Sequence, residues 1–210
     1  MHEALLGLGA DGSPRHSSAL LAEVEQAAAA AGGWERVGRI AVGVGPGSFV
    51  GIRIGIATAR ALSLSTGLPA MGVCTLDALG RGLTELAPSR NALAVLDARR
   101  GEVFAALYAP GGERLWEPLV LAPGALAERL AGLAEPPLAA GPGAVRFRDE
   151  LASRGAEIPG DEEPAHRIAA RHLCVLAEDA ASGSKSLDPI YLRPPDAQRW
   201  RERDTSQRSE

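Results

Sequence analysis

Residues 39–65 read RIAVGVGPGSFVGIRIGIATARALSLS, and this stretch decides the fold class. Ile40, Val42 and Val44 alternate with Ala41 and Gly43, a short apolar run of the kind covered on both faces of a sheet. Gly45-Pro46-Gly47 then turns the chain, since glycine reaches positive φ freely and proline fixes its own φ. Ser48 is placed to cap the following helix, its hydroxyl accepting a first-turn N–H. In that helix Gly51, Gly55 and Ala59 recur every fourth residue and share one face. A helix-interior glycine costs about 1 kcal/mol against alanine. The spacing predicts a second helix lying close along the stripe to offset that cost. Strand, turn and helix together imply an α/β fold.

The same stretch admits an anion loop at Gly45, Gly47 and Ser48, because a helix N-terminus offers free N–H groups and a positive dipole end. No Lys-Ser/Thr pair follows the glycines, and their positions at 45, 47 and 51 do not match GxGxxG. A tight turn with close helix packing is the better reading.

Composition narrows the class. The chain has 210 residues, enough for one large domain or two small ones, and 46% hydrophobic residues. With 22 basic and 26 acidic residues its net charge is −4, so no general field draws it to nucleic acid or anionic lipid. Aromatics at 4% argue against a base-stacking platform. Cys74 and Cys174 read as buried thiols of a cytoplasmic protein rather than a disulfide framework. No apolar run approaches the roughly 18 residues of a membrane span.

Along the chain, Ala4–Leu8 reads as a strand and Ser17–Ala31 as a helix ended by Gly32-Gly33. Ala70–Val73 reads as a strand, and a helix from Thr75 or Asp77 runs to about Leu86. Pro88-Ser89 divides the chain into a first lobe at 1–88 and a second at 89–195, with a polar tail at 196–210. Ala92–Leu96 and Val103–Tyr108, joined by a polar glycine-containing turn, predict a central hairpin. Leu115–Leu121 follows as a strand, then a helix over Gly124–Gly132 and a strand at Leu138–Ala140. Gly141-Pro142-Gly143 repeats the strand–glycine–helix theme before a helix at Ala144–Arg154. Ala165–Ala181 is the last helix, and Pro189–Pro195 is held extended by its prolines.

The catalytic inventory is thin. His166 and His172 lie six apart, so a helix points them to different faces; they read as surface or helix-end histidines. Neither HExxH, CxxC nor GxSxG is present. Asp97 and Glu102 flank the hairpin turn and fit turn chemistry as well as a carboxylate pair. Arg53 reads as solvated, or paired with Asp97, Glu102 or a partner.

Four ordered motifs carry a resemblance. VGVGPGSFVGIRIGIATARALSLSTGLPAMGVCTLDAL, LDARRGEVFAALY, AAGPGA and PIYLRPPDA closely resemble the bacterial TsaB (YeaZ) family, and His16 is similar to that family's histidine before its first long helix. The match runs from about Arg15 to Ala197, with Val50 standing where the family usually has Thr or Ser. The resemblance implies two RNase H-like lobes of the actin, sugar-kinase and heat-shock ATPase superfold. Family chains begin with a strand bearing an Asp-Thr pair and a hairpin return. Nothing upstream of Ala4 supplies these, so the expectation is a first lobe lacking its N-terminal strands, through truncation in preference to rearrangement.

The function implied is threonylcarbamoylation of adenosine 37 in tRNAs reading codons that begin with A. In that family this chain type is a non-catalytic partner of a TsaD-like subunit, which carries the ATP/ADP and the metal, and a TsaE-like ATPase joins the complex. The implied interface is the first-lobe helix face of Gly51, Ile52, Gly55, Ile56, Ala59 and Leu62, with Arg53 nearby. The same face would form a homodimer without the partner, tRNA would be contacted indirectly, and no membrane is involved. The alternative is an ATP-binding phosphotransferase or ATPase using Gly45–Ser48 and Gly141–Gly143 as phosphate loops. The older glycoprotease label fits less well, because a metal-binding HxExxH-like pattern is absent.

Overall fold

The computed structural model describes residues 3–4, 6, 16–179 and 186–193. Most of the expected strand at Ala4–Leu8, and the tail at 196–210, lie outside the described residues. Helix α1 spans His16–Ala30, and a single 3-10 turn at Trp34–Arg36 leads into β1, Ile40–Gly45. Ser48 caps α2, Phe49–Thr66, its Oγ accepting from Gly51 N–H at 3.3 Å. Gly67, at φ 73, closes the helix by donating to Ser63 O at 2.9 Å. β2, Ala70–Cys74, pairs parallel with β1, and α3 follows at Thr75–Leu86. Among the described residues the first sheet holds these two strands.

The second sheet has the order β5-β4-β3-β6. β3 (Ala92–Asp97), β4 (Val103–Tyr108) and β5 (Arg114–Leu121) form an antiparallel meander, and β6 (Leu138–Ala140) lies parallel beside β3. The hairpin is central, as its apolar faces require. Alternation sends Ala92, Ala94, Leu96, Ala106 and Tyr108 toward Leu76, Leu79 and Leu83 of α3. Leu93, Val95, Val103, Ala105 and Leu107 face the other way, onto Leu126 and Leu130 of α4 (Pro123–Leu130), Ala144 of α5 (Pro142–Arg146) and Leu151 of α6 (Arg148–Ala152). Small residues on the α3 side let that helix approach closely: a Cβ on Gly80 would sit 2.4 Å from the Tyr108 ring.

Two helices differ from expectation. The helix over 144–154 is two short ones, parted at Phe147, whose ring turns in against the α4–α6 core. The last helix, α7, covers Ala170–Glu178 and starts five residues late. Pro164–His166 forms a 3-10 turn, and the Glu3 carboxylate accepts from Ala170 N–H at 2.7 Å, fixing the helix start there. Leu173, Leu176 and Ala177 of α7 pack on Met71 and Val73 of the first sheet. Residues 186–193 also return, running extended over the opposite face and placing Leu187 and Ile190 against Val44, Ile52 and Ile56.

Candidate functional site

Helix α2 carries two apolar stripes on opposite faces. Ile52, Ile56 and Ala59 point inward onto β1 and are 7%, 5% and 3% exposed. A Cβ on Gly55 would meet Val42 Cγ2 at 3.5 Å, and one on Gly51 would meet Ser48 at 3.4 Å. The small stripe therefore seats the helix on its own strand and cap. Ile52, Ile56 and Ala59 are buried in the chain's own core. Gly51, Gly55 and Leu62 are half-buried, and Arg53 is exposed. A second set, Val50, Ile54, Ala57, Ala61 and Leu64, is spaced four, three, four and three residues apart, and all but half-buried Ile54 are exposed. Val50 is 58% exposed and Leu64 88%.

Arg53 does not reach Asp97 or Glu102. Its guanidinium lies 3.8 Å from the centre of the Phe49 ring, and its Nε donates to the Tyr191 hydroxyl at 3.1 Å. The Phe49 and Tyr191 rings, 53% and 44% exposed, stand 5.6 Å apart. Asp97 instead accepts from Arg99 N–H and from Arg146, both at 2.8 Å, and Glu102 pairs with Arg193.

Several groups of the two glycine turns are engaged within the chain. Thr75 Oγ1 donates to Pro46 O, and Ser48 is committed to Gly51. Gly141 N–H donates to His166 Nδ1 at 3.1 Å, while His166 Nε2 lies 3.1 Å from Gly160 O. His166 and His172 are both buried, not at the surface, because each ring has polar partners inside the fold. For His172 the partner is Glu85, 3.5 Å from Nδ1 across the α3–α7 contact. Burial lowers the His172 pKa, with Glu85 opposing, and the Arg81 hydrogen bond lowers that of Glu85. Among the described residues no three His, Cys, Asp or Glu side chains converge as a metal-ligand set.

A polar cluster that the sequence did not single out joins α3 to the second sheet. Asp77 accepts from Tyr108 Oη at 2.7 Å and from Arg114 Nη2 at 2.6 Å and 2.5 Å on its two oxygens. It borders a cavity of about 360 Å³, also lined by Arg81 and Gly112. Burial, reinforced by Asp77, pushes the Tyr108 pKa up and raises the Cys74 thiol to about 11. Burial works against the Arg114 charge, but hydrogen bonding and attraction to Asp77 outweigh it and hold that pKa above its ordinary value. Both Asp77 oxygens accept hydrogen bonds, so the cluster ties α3 to β4 and β5. Cys174 is exposed on α7, contrary to the expectation of two buried thiols.

The four-three spacing of the outer stripe is visible in the sequence, but the small-residue stripe on the opposite face has an equally regular period, and spacing alone does not choose between them. The Phe49–Tyr191 and Arg193–Glu102 contacts are tertiary ones that no spacing announces.

Comparison with known proteins accords with the fold. The family model described as TsaD, tRNA N6-adenosine threonylcarbamoyltransferase, matches residues 10–147. The tRNA threonylcarbamoyladenosine biosynthesis protein TsaB of Escherichia coli (strain K12) is 32% identical over 165 residues, spanning 75% of this chain and 71% of that protein. A Pseudomonas aeruginosa crystal structure, described as similar to peptidase YEAZ, superposes with a TM-score of 0.68 at 28% identity over 87% of each chain. YeaZ from Pseudomonas aeruginosa gives 0.67 at 27% identity, covering 84% of this chain and 85% of that one. No helix among the described residues is long and apolar enough to cross a membrane.

Proposed function

The chain belongs to the TsaB (YeaZ) family, with its two RNase H-like lobes of the actin-type superfold, and from that premise we propose that it serves tRNA threonylcarbamoyladenosine biosynthesis as a non-catalytic partner of a TsaD-type subunit. One observation carries the docking part of this reading: along 18-residue α2 the apolar positions Val50, Ala57, Ala61 and Leu64 are exposed on one face, with half-buried Ile54 between them. A regular four-three apolar spacing is what a helix offers to a second helix. Small residues at 57 and 61 let the backbones approach, and Val50 and Leu64 anchor the ends. This docking face lies opposite the stripe of Gly51, Gly55 and Ala59 on the same helix. Nucleotide and metal belong to the TsaD-type subunit, a TsaE-type ATPase and tRNA enter through the complex, and two copies of this chain pair through the stripe when the partner is absent.

The test is co-expression with the organism's own TsaD-type subunit and sizing of the eluate. Leu64→Asp is expected to abolish co-elution and leave the melting temperature nearly unchanged, since surface substitutions of this kind shift stability by roughly 0.5 kcal/mol or less. Co-elution of Leu64→Asp at wild-type stoichiometry would refute docking through α2. The alternative ATP-binding role requires tight ATP binding by the isolated chain, and a titration reads it directly.

A further inference from the structure

Residues 186–193 connect three parts of the molecule that are remote in sequence. Their bed is the first sheet: Ile190 N–H donates to Val44 O at 2.7 Å. Gly72 and Gly45 leave room for them, since a Cβ there would sit 2.6 Å from Ser186 O and 2.9 Å from Ile190 O. Leu187 and Ile190 fill the core between β1 and α2. On α2, Arg60 donates to Leu187 O at 3.3 Å, and Arg53 holds the Tyr191 hydroxyl beside Phe49. At the far end Leu192 packs on the second-sheet core. There Arg193 donates to Ala98 O at 3.1 Å and to Glu102, at the turn between β3 and β4.

We propose that residues 186–193 are a strap through which the β3–β4 hairpin of the second sheet sets the docking face of α2. Arg193 is its positioning residue, and Tyr191 is part of the face itself. The physical basis is that a partly buried charge pair is costly to leave half-made. Arg193 and Glu102 keep 16% and 31% of their side-chain surface. Any movement of the hairpin that separates them frees the last residues of the strap. Tyr191 then leaves Arg53, and the guanidinium loses its fixed orientation over Phe49. Aromatic and arginine side chains of this kind, held rigid at an interface, are the residues that dominate binding energy. This rests on α2 as the docking face only for its second consequence; the coupling itself lies within the isolated chain.

Hydrogen–deuterium exchange on the isolated protein tests the coupling. Glu102→Gln is expected to speed exchange at Ile190 N–H and over the first two turns of α2 about tenfold, while β3–β4 amides keep wild-type rates. Unchanged rates at Ile190 and α2 overturn the proposal, and so does an equal rise throughout β3–β4. Arg193→Lys, which keeps a charged donor, is expected to recover most of the protection that Arg193→Gln loses; equal loss in the two overturns the positioning role.

Binding to the TsaD-type subunit is the second readout. Glu102→Gln is expected to weaken it about tenfold and Tyr191→Phe about threefold, with the double variant no worse than Glu102→Gln alone. Additive losses overturn a shared route. If Leu64→Asp also leaves binding intact, the docking reading fails while the exchange result still decides the strap.

Discussion

Substitution at Gly55 separates a helix that packs on its own sheet from one that packs on another subunit. A Cβ at this position would lie 3.5 Å from Val42 Cγ2, an ordinary contact, and Gly55 is inside a regular helix. Gly55→Ala therefore removes a helix-interior glycine without a clash and is expected to stabilise the isolated chain by about 0.5–1 kcal/mol. For a protein of this size that raises the melting temperature by roughly 1–4 °C. Gly55→Leu sends three more carbons toward β1, where Val42, Val44, Ile52 and Ile56 already fill the space. Overpacking of this kind costs about 1–3 kcal/mol, or roughly 2–12 °C. The assay is thermal unfolding of the isolated protein, followed by sizing with the TsaD-type subunit. Gly55→Leu with an unchanged melting temperature and lost association would refute the argument. It would restore the stripe of Gly51, Gly55 and Ala59 as an intermolecular face.

Two further outcomes follow from buried groups. The chain holds two cysteines, and only exposed Cys174 is expected to react with a thiol reagent at pH 8 while folded; Cys74, raised to about 11, reacts on unfolding. Fast modification persisting in Cys174→Ser contradicts this. His172 has its pKa lowered below 6.5 by burial, so folding favours the neutral ring. The unfolded chain binds the extra proton, and the stability from His172 is fully present above about pH 6.5 and lost as pH falls through the folded value. Urea denaturation at pH 7 and pH 5.5 is expected to show a decline that His172→Gln flattens, by at most about 1.4 kcal/mol per pH unit. An equal decline in the variant assigns the effect elsewhere. Glu85, Glu3, Arg81 and Arg171 also face this ring.

The second sheet was legible because its strands carry their own punctuation. Two apolar runs around a polar glycine turn admit little but a hairpin, and apolar residues on both faces of the second run place it centrally. The orientation of α2 was not legible. Its inner stripe and its outer stripe are both apolar, so periodicity offers two answers. Only Val42 and Val44, paired in register with β2, decide which stripe is inside. The histidines failed for a related reason. Spacing on an assumed helix could not foresee that His166 precedes α7 and accepts from Gly141 N–H, 25 residues back in the chain. The exchange of Arg53 for Arg193 as partner of Glu102 has the same origin, since several arginines could reach and sequence gives no distances.

The glycines illustrate why a motif can identify a family and still mislead about chemistry. Read alone, Gly45-Pro46-Gly47 and Gly141-Pro142-Gly143 look like paired phosphate loops. In the fold each answers to backbone crowding. A Cβ on Gly141 would lie 2.1 Å from Val95 O, and one on Gly45 would meet the carbonyl of Ile190. Substitution at either would displace a neighbouring backbone whether or not an anion ever bound, so a loss-of-function variant there cannot report on nucleotide binding. Variants on the outer stripe of α2 and at Tyr191 touch no core contact of this kind. For that reason function is better sought at these exposed positions than in the glycine loops that made the chain recognisable.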